Sequence, residues 1–456
     1  MTLAEETELD QHQLAKLLEE HKIHDFREQF LQLHPYDQAT FYENATAEQR
    51  GKMYEYLSPK ELAELFETTE IEEDQYKGFL EEMDSSYAAT MISHMFVDNA
   101  VDVLKELDKA QTISYLTLMS KEEADKIRAL LHYEESTAGS IMTTEFVTIP
   151  ENSTVRSAMT ILKNVAPSAE TIYYIFIVND NNRLTGVVSL RDLIIAKEDT
   201  LIRDIMNERV VSVLVSDDQE DVARRMQDYD LLAMPVVDFQ QHLLGIITVD
   251  DIIDVMDEEA TDDYSKLAGV TDIDATEHSA FAAAKKRAPW LIILLVLGML
   301  TASLIDMFTG TIEKVAILAA FIPLIAGTAG NSGTQALAVA VRSIATSDNE
   351  EESRWKLLSR EAGTGLITGI ICAVFVVGLI TVWKGEFVIA LLVGAAIMVS
   401  IFVATLSGSF IPLLMHKLNI DPAVASGPFI TTLNDVISIL IYLGLATTFI
   451  DKLPVS

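Results

Sequence analysis

The chain is nearly devoid of cysteine. The single one, Cys372, lies in an apolar run, which excludes a disulfide-stapled scaffold. A basic surplus is also missing: 33 Lys and Arg stand against 69 Asp and Glu in 456 residues, a formal net charge of −36. Phosphate recognition needs a basic footprint, so nucleic-acid binding is excluded as well. No His-Glu-x-x-His occurs, and His416, the one histidine of the last third, stands at the end of an apolar run. That excludes a helix-borne zinc protease, and no enzymatic activity is expected. The opening residues MTLAEETELD have neither the basic start nor the apolar core of a signal peptide, so the N-terminal part is expected to remain cytosolic.

What the chain does have is divided unevenly. Residues 285–456 hold 11 basic and 11 acidic side chains, whereas residues 1–284 hold 22 and 58 and carry the whole negative charge. The two parts are built for different solvents. Five apolar stretches fill the neutral part, at about 288–305, 315–341, 363–383, 387–415 and 423–450. A bilayer crossing needs roughly 20 mainly apolar residues, so each stretch predicts a transmembrane helix. With the N-terminus inside, the inner flanks carry Lys285, Lys286, Arg287, Arg342, Arg354, Lys356, Arg360 and Lys417, and the outer flanks only Lys314, Lys384 and Lys452. This bias predicts a cytoplasmic N-terminus and an extracellular tail, DKLPVS, at the cell membrane. Small residues (Gly363, Gly365 and Gly369 in the third crossing; Gly394, Ala395, Ser407 and Gly408 in the fourth) are assigned to helix packing.

Some residues in these crossings exceed packing. Pro323 opens PLIAGTAGNSGTQ, where Gly327, Gly330 and Gly333 alternate with Asn331, Thr334 and Gln335. Such a run is expected to free backbone carbonyls that must face protein or water. Asp435 lies a third of the way along the fifth stretch, beside Thr431, Thr432 and Asn434, and Asp421-Pro422 marks that helix's inner mouth. A carboxylate in lipid is costly and is normally turned toward a pathway or a partner. No Lys or Arg lies deep in any crossing, so the natural counter-charge is a bound cation. Oxygen donors without His or Cys disfavour zinc and copper. Magnesium, which keeps its waters and uses one or two carboxylates, fits; calcium and manganese fit the same donors. Two copies of Asp435 on a two-fold axis would neutralise a dication.

The acidic part reads as three pieces joined to the membrane domain, 285–456. Residues 1–133 are helical, with capping boxes at Thr46/Gln49, Ser58/Glu61 and Ser120/Glu123, and predict a small superhelix. Residues 134–200 and 201–255 form an internal repeat. Ile141-Met142 matches Ile205-Met206, the strand Phe146–Ile149 matches Val210–Val213, and Gly186-Val-Val-Ser189-Leu-Arg-Asp192 matches Gly245-Ile-Ile-Thr248-Val-Asp-Asp251. This resembles a tandem pair of CBS domains, in which the Ser/Thr and Asp hold an adenine nucleotide such as ATP. By that resemblance the matching positions are Ser189, Asp192, Thr248 and Asp251, with Tyr173 or Tyr174 as an adenine wall. Residues 256–284 connect to the bilayer, and the acidic run from Asp250 to Asp263 carries enough apolar positions for a helix that needs counter-ions.

The order of an acidic helical domain, a CBS pair, a charged connecting helix and five crossings resembles the MgtE family of magnesium channels. The match spans nearly the whole chain and is carried by EESTAGSIM at 134–142, PLIAGTAGNSGTQ, and DPAVASGPFITTLND at 421–435. The resemblance implies a multidomain α plus α/β membrane protein: N-terminal helical superhelix, Bateman module, plug helix and five-helix transmembrane domain. It further implies a homodimer with its pore on the two-fold axis, Asp435 selecting hydrated Mg²⁺, Asn331 and the carbonyls near Gly327 and Gly330 lining the path, and Asp421 at the cytosolic mouth. Closure by cytosolic Mg²⁺ would use Asp250, Asp254, Glu258 and Glu259, with Asp217, Glu220, Asp221, Asp98 and Asp102. A Na⁺- or H⁺-coupled exchanger of divalent cations is the alternative mode of transport; a sensor without transport has no use for Asp435 in lipid.

Overall fold

Helix-start chemistry recurs along the first 130 residues, and it fixes short helices. In the computed structural model, which describes residues 3–67, 73–270, 279–346, 351–418, 420–422 and 425–450, ten helices, α1–α10, run between Leu3 and Leu130. The three expected capping boxes form, and Asp108 with Gln111 makes a fourth. Each satisfies two otherwise orphaned backbone donors and is worth about 1 kcal/mol. The helices bury one aromatic core in which Phe26, Phe30, Tyr42 and Phe66 are essentially inaccessible.

The repeat that follows folds into two three-stranded sheets of identical design. In the first, β1 (Thr148–Pro150) runs parallel to β2 (Tyr174–Val178), which pairs antiparallel with β3 (Leu184–Ser189). In the second, β4 (Val213–Leu214), β5 (Ala233–Val237) and β6 (Leu243–Thr248) repeat the order. Register shifts fall at equivalent places, Ile177/Val178 and Val236/Val237. The helices α11 (Val155–Val165), α12 (Leu190–Ile195) and α13 (Gln219–Asp228) cover the sheets. The copies clasp each other: Thr143 bridges to Ile246, and Asn207 to Val187. Gly186 and Gly245 are glycine for this reason, since a side chain at either would strike Met206 or Met142. The first strands start two or three residues later than the sequence suggests.

The helix α14 (Val249–Ala268) begins directly after β6. The chain divides into two units, Met1–Met256 and Asp257–Ser456. In the second, α15 (Ala280–Met307), α16 (Thr309–Lys314), α17 (Ile322–Thr346), α18 (Glu351–Lys384), α19 (Phe387–Lys417) and α20 (Gly427–Thr448) follow in order. Among the described residues, five helices are long and apolar enough to cross a membrane. Lys452, the tail DKLPVS and the side chain of Arg354 lie outside the described residues.

One expectation needs correction. Pro323 and the three glycines do not interrupt the second crossing. A 3₁₀ turn over Ala316–Phe321 precedes α17, so Pro323 falls in the helix's first turn, where it costs no hydrogen bond. Regular α-helix then runs through Gly327, Gly330 and Gly333. α17, α18, α19, α20 and the 3₁₀ turn share the core, around fully buried Tyr442, whose hydroxyl donates to the Leu318 carbonyl at 3.0 Å.

Candidate cation pathway and acidic cluster

Helical spacing puts Gly327, Gly330, Asn331 and Thr334 on one face of α17. On α20 the same rule aligns Thr431, Asp435 and Ser438. The two faces meet. The Thr334 and Thr431 hydroxyls are 3.1 Å apart. A methyl group placed on Gly330 would lie 2.7 Å from Thr431 Cγ2 and 3.5 Å from Asp435 Oδ1, so the glycine lets α20 bring its carboxylate against the α17 backbone. Asp435 Oδ1 is inaccessible and has no hydrogen-bond partner among the described residues. Gly327 and Asn331 are exposed on the same side of α17, whereas Gly330 is buried.

Asp421 stands in the turn that precedes α20. It accepts from Lys266 Nζ at 2.5 Å, and Lys266 also pairs with Asp262 on α14. Leu267 packs beside Leu337, Ala425 and Ile430. Gly269, in the left-handed conformation (φ 71°), ends the helix against the Trp290 ring. Burial, with added repulsion from Asp421, holds the nearby Asp263 carboxyl above the usual range. Sequence reasoning missed Lys266; its signal was that it is the only basic residue of α14.

In the first unit, Asp98 on α8 (Val97–Lys105) is only 5% exposed and its Oδ1 has no partner among the described residues. Burial, then repulsion from Asp251 and Glu170, pushes its carboxyl well above the ordinary range. Glu170 is pushed up to about 7 by burial and by Asp251 and Asp250, and its Oε2 likewise has no partner among the described residues. Glu67, accepting the Phe96 amide at 2.6 Å, is raised to about 7 by burial. Glu145 accepts the Thr143 hydroxyl at 2.9 Å and adds its charge to the group. Burial raises Asp251 to about 6. Among the described residues no three such side chains converge as a closed metal cage. Magnesium does not need one, because it retains waters and binds through one or two carboxylates. Glu67, Glu145 and Glu170 were missed because they are scattered in sequence.

The remaining candidates differ in setting. Asp217 accepts the Leu214 amide at 3.0 Å and faces Arg225 at 3.5 Å. Arg224 lies 3.0 Å from Glu220 and 3.4 Å from Asp221, and Lys105 3.3 Å from Asp102, so each already has a basic neighbour. Asp250, Asp254 and Glu258 are exposed on α14, and Glu259 is half-buried. Ser189 donates to Asp192 at 2.6 Å, and Thr248 to Asp251 at the same distance. Tyr173 is exposed, and its carbonyl accepts the amide of Leu190, next to Ser189.

A bundle of apolar helices that carries the half-buried Asp435, whose Oδ1 has no partner among the described residues, together with a helical domain and a CBS pair, defines a multi-pass membrane protein of the ion-transport class. The comparisons agree on which one. Residues 322–445 match the MgtE divalent cation transporter domain, 33–136 the MgtE intracellular N domain, and 138–199 and 202–258 the CBS domain. The magnesium transporter MgtE of Enterococcus faecalis is 52% identical over 436 residues, covering 96% of each chain. A crystal structure of the soluble part of a magnesium transporter is similar over 56% of this chain and 99% of its own (56% identity, TM-score 0.55). The cytosolic domain of the Mg²⁺ channel MgtE in complex with ATP is similar over 53% and 98% (35% identity, TM-score 0.51). The chain belongs to the MgtE family of magnesium transporters.

Proposed function

We propose that the chain imports Mg²⁺ as a channel, through a pore on the two-fold axis of a homodimer in the cell membrane, with the N-terminus cytoplasmic and the C-terminus extracellular. The observation that carries this reading is the Asp435 carboxylate: it is half-buried among apolar helices, its Oδ1 has no hydrogen-bond partner among the described residues, and it abuts Gly330. A permeating dication is the counter-charge that such a group lacks. Asn331 and Gly327 line the route, buried Gly330 lets Asp435 approach it, and Asp421 guards its cytosolic end.

Closure follows from the acidic cytosolic part. Asp98, Asp251 and Glu170 repel one another when compact. Mg²⁺ relieves that repulsion and so favours the compact form. Asp250, Asp254, Glu258 and Glu259 extend the same effect onto α14, which acts as the plug; Asp102, Asp217, Glu220 and Asp221, already matched by bases, contribute less. A swing from 1:99 to 99:1 requires about 5.5 kcal/mol, which calls for several ions. An adenine nucleotide binds at Tyr173, Ser189, Asp192, Thr248 and Asp251; the ATP complex of a relative's cytosolic domain supports this. The test is Asp435→Ala: Mg²⁺ uptake into proteoliposomes should vanish while the dimer still forms, and undiminished uptake refutes the pore.

A further inference from the structure

Asn434, the neighbour of Asp435, occupies an unusual place. It is 1% exposed in the bundle. Its Oδ1 lies 2.7 Å from the Ser407 hydroxyl of α19, which also reaches the Ala404 carbonyl at the longer distance of 3.0 Å. Its Nδ2 lies over Gly333 of α17, where any side chain would collide with it. Gly408, next to Ser407, in turn presses on the Gly333 carbonyl. Three helices therefore close on one carboxamide. That carboxamide is a poor choice for stability, because Nδ2 is buried with no acceptor among the described residues. An apolar residue would pack there without that cost, which argues for a role other than holding the bundle together.

We propose that Asn434 is a positioning residue that sets the direction of the Asp435 carboxylate and thereby the preference among divalent cations. The inference rests on the reading of Asp435 as the cation-selecting group. Asp435 accepts no side-chain hydrogen bond from the described residues, so only its backbone aims it. Consecutive helical residues are locked about 100° apart, so a clamp on 434 fixes the azimuth of 435. The Thr334–Thr431 contact, one turn earlier, holds the same helix pair. A carboxylate held still addresses the water shell of Mg²⁺, which sheds water reluctantly and demands near-octahedral geometry. One free to swing reaches the ion itself and accepts Mn²⁺ or Ca²⁺, which tolerate direct coordination in looser geometry. Ser407, assigned in the sequence to packing alone, becomes part of the clamp.

The test is uptake of Mg²⁺, Mn²⁺ and Ca²⁺ by the full chain in proteoliposomes, comparing Asn434→Ala, Ser407→Ala, Ser407→Thr and Asp435→Asn. Loss of one hydrogen bond, about 1 kcal/mol, corresponds to about a fivefold fall in the Mg²⁺/Mn²⁺ and Mg²⁺/Ca²⁺ ratios for Asn434→Ala and Ser407→Ala. Ser407→Thr keeps the hydroxyl and should keep the wild-type ratios, which a merely structural role would not require. Should Asn434→Ala fail to fold, Ser407→Ala decides alone, since it removes one exchangeable group at a half-buried position. Unchanged ratios in the folded Ala variants, with uptake lost in Asp435→Asn, overturn the positioning role and leave the pore reading standing. Uptake retained in Asp435→Asn overturns both.

Discussion

The ammonium of Lys266 lies 2.5 Å from Asp421 Oδ2, joining two positions 155 residues apart: the last turn of α14 and the turn that leads into α20. Both side chains are about one-third exposed, so the pair by itself contributes at most about 1 kcal/mol. Its importance is its place. In the proposed mechanism it pins the plug at the mouth of the pathway. Lys266→Ala should therefore raise the Mg²⁺ concentration that half-inhibits uptake by up to about fivefold. The exchanged pair, Lys266→Asp with Asp421→Lys, should move it back. An inhibition curve that Lys266→Ala leaves in place removes the pair from gating.

The acidic cluster predicts a pH dependence with a definite sign. Glu67 and Glu170 titrate at about 7 in the folded protein, and Asp251 at about 6. In the unfolded chain such groups titrate near 4. The folded state thus binds more protons across this window, and its stability rises as pH falls from 8 toward 5. Thermal unfolding of the detergent-solubilised protein in Mg²⁺-free buffer should show the first unit melting higher at pH 6 than at pH 8. Added Mg²⁺ should stabilise more at pH 8, where the carboxylates are charged. A melting point that falls on acidification contradicts the account.

Asp98→Asn keeps the shape of a buried side chain and removes its charge. It should stabilise the Mg²⁺-free protein, about 2–4 °C in melting temperature for each kcal/mol of repulsion relieved, and shrink the further gain on adding Mg²⁺. Equal Mg²⁺-induced shifts in variant and wild type would exclude Asp98 from the sensor. Neutralising Asp250, Asp254, Glu258 and Glu259 together to Ala should weaken Mg²⁺ inhibition of transport; full inhibition in that variant clears all four.

Helix contact at Gly333 gives a stability prediction independent of ion binding. A methyl group there collides with Asn434, and one on Gly408 collides with the Gly333 carbonyl. Overpacking of this kind costs about 1–3 kcal/mol. Gly333→Ala and Gly408→Ala should each lower the melting temperature of the membrane unit, whereas Gly378→Ala, with open space around it, should not. Equal melting in all three would mean that α17 and α19 do not approach as described.

Much of this fold is written locally. Bilayer-length apolar runs, capping boxes and the doubled Gly-apolar-apolar-Ser/Thr ending are short-range patterns, and the five spans, the helical domain and the CBS pair follow from them. What the sequence hid is long-range or a matter of phase. Pro323 breaks a helix or starts one according to where the preceding turn ends, and the Ala316–Phe321 turn decides that. The charges acting on Asp98 come from segments up to 153 residues away, and Glu67 acts on Glu170 among them, so no spacing rule brings Glu67, Glu170 and Asp251 together. Asp435 stands out in the sequence because a charge in an apolar run needs a reason; Ser407 does not, because a serine there needs none.

The most direct test is single-channel recording from the reconstituted wild-type dimer, with Mg²⁺ varied only on the side of the N-terminal domain. The account predicts unitary Mg²⁺ currents at low Mg²⁺ on that side, with openings that cease as Mg²⁺ there is raised. Flux that proceeds only at carrier turnover rates and requires a Na⁺ or H⁺ gradient, or openings indifferent to Mg²⁺ on that face, would contradict it.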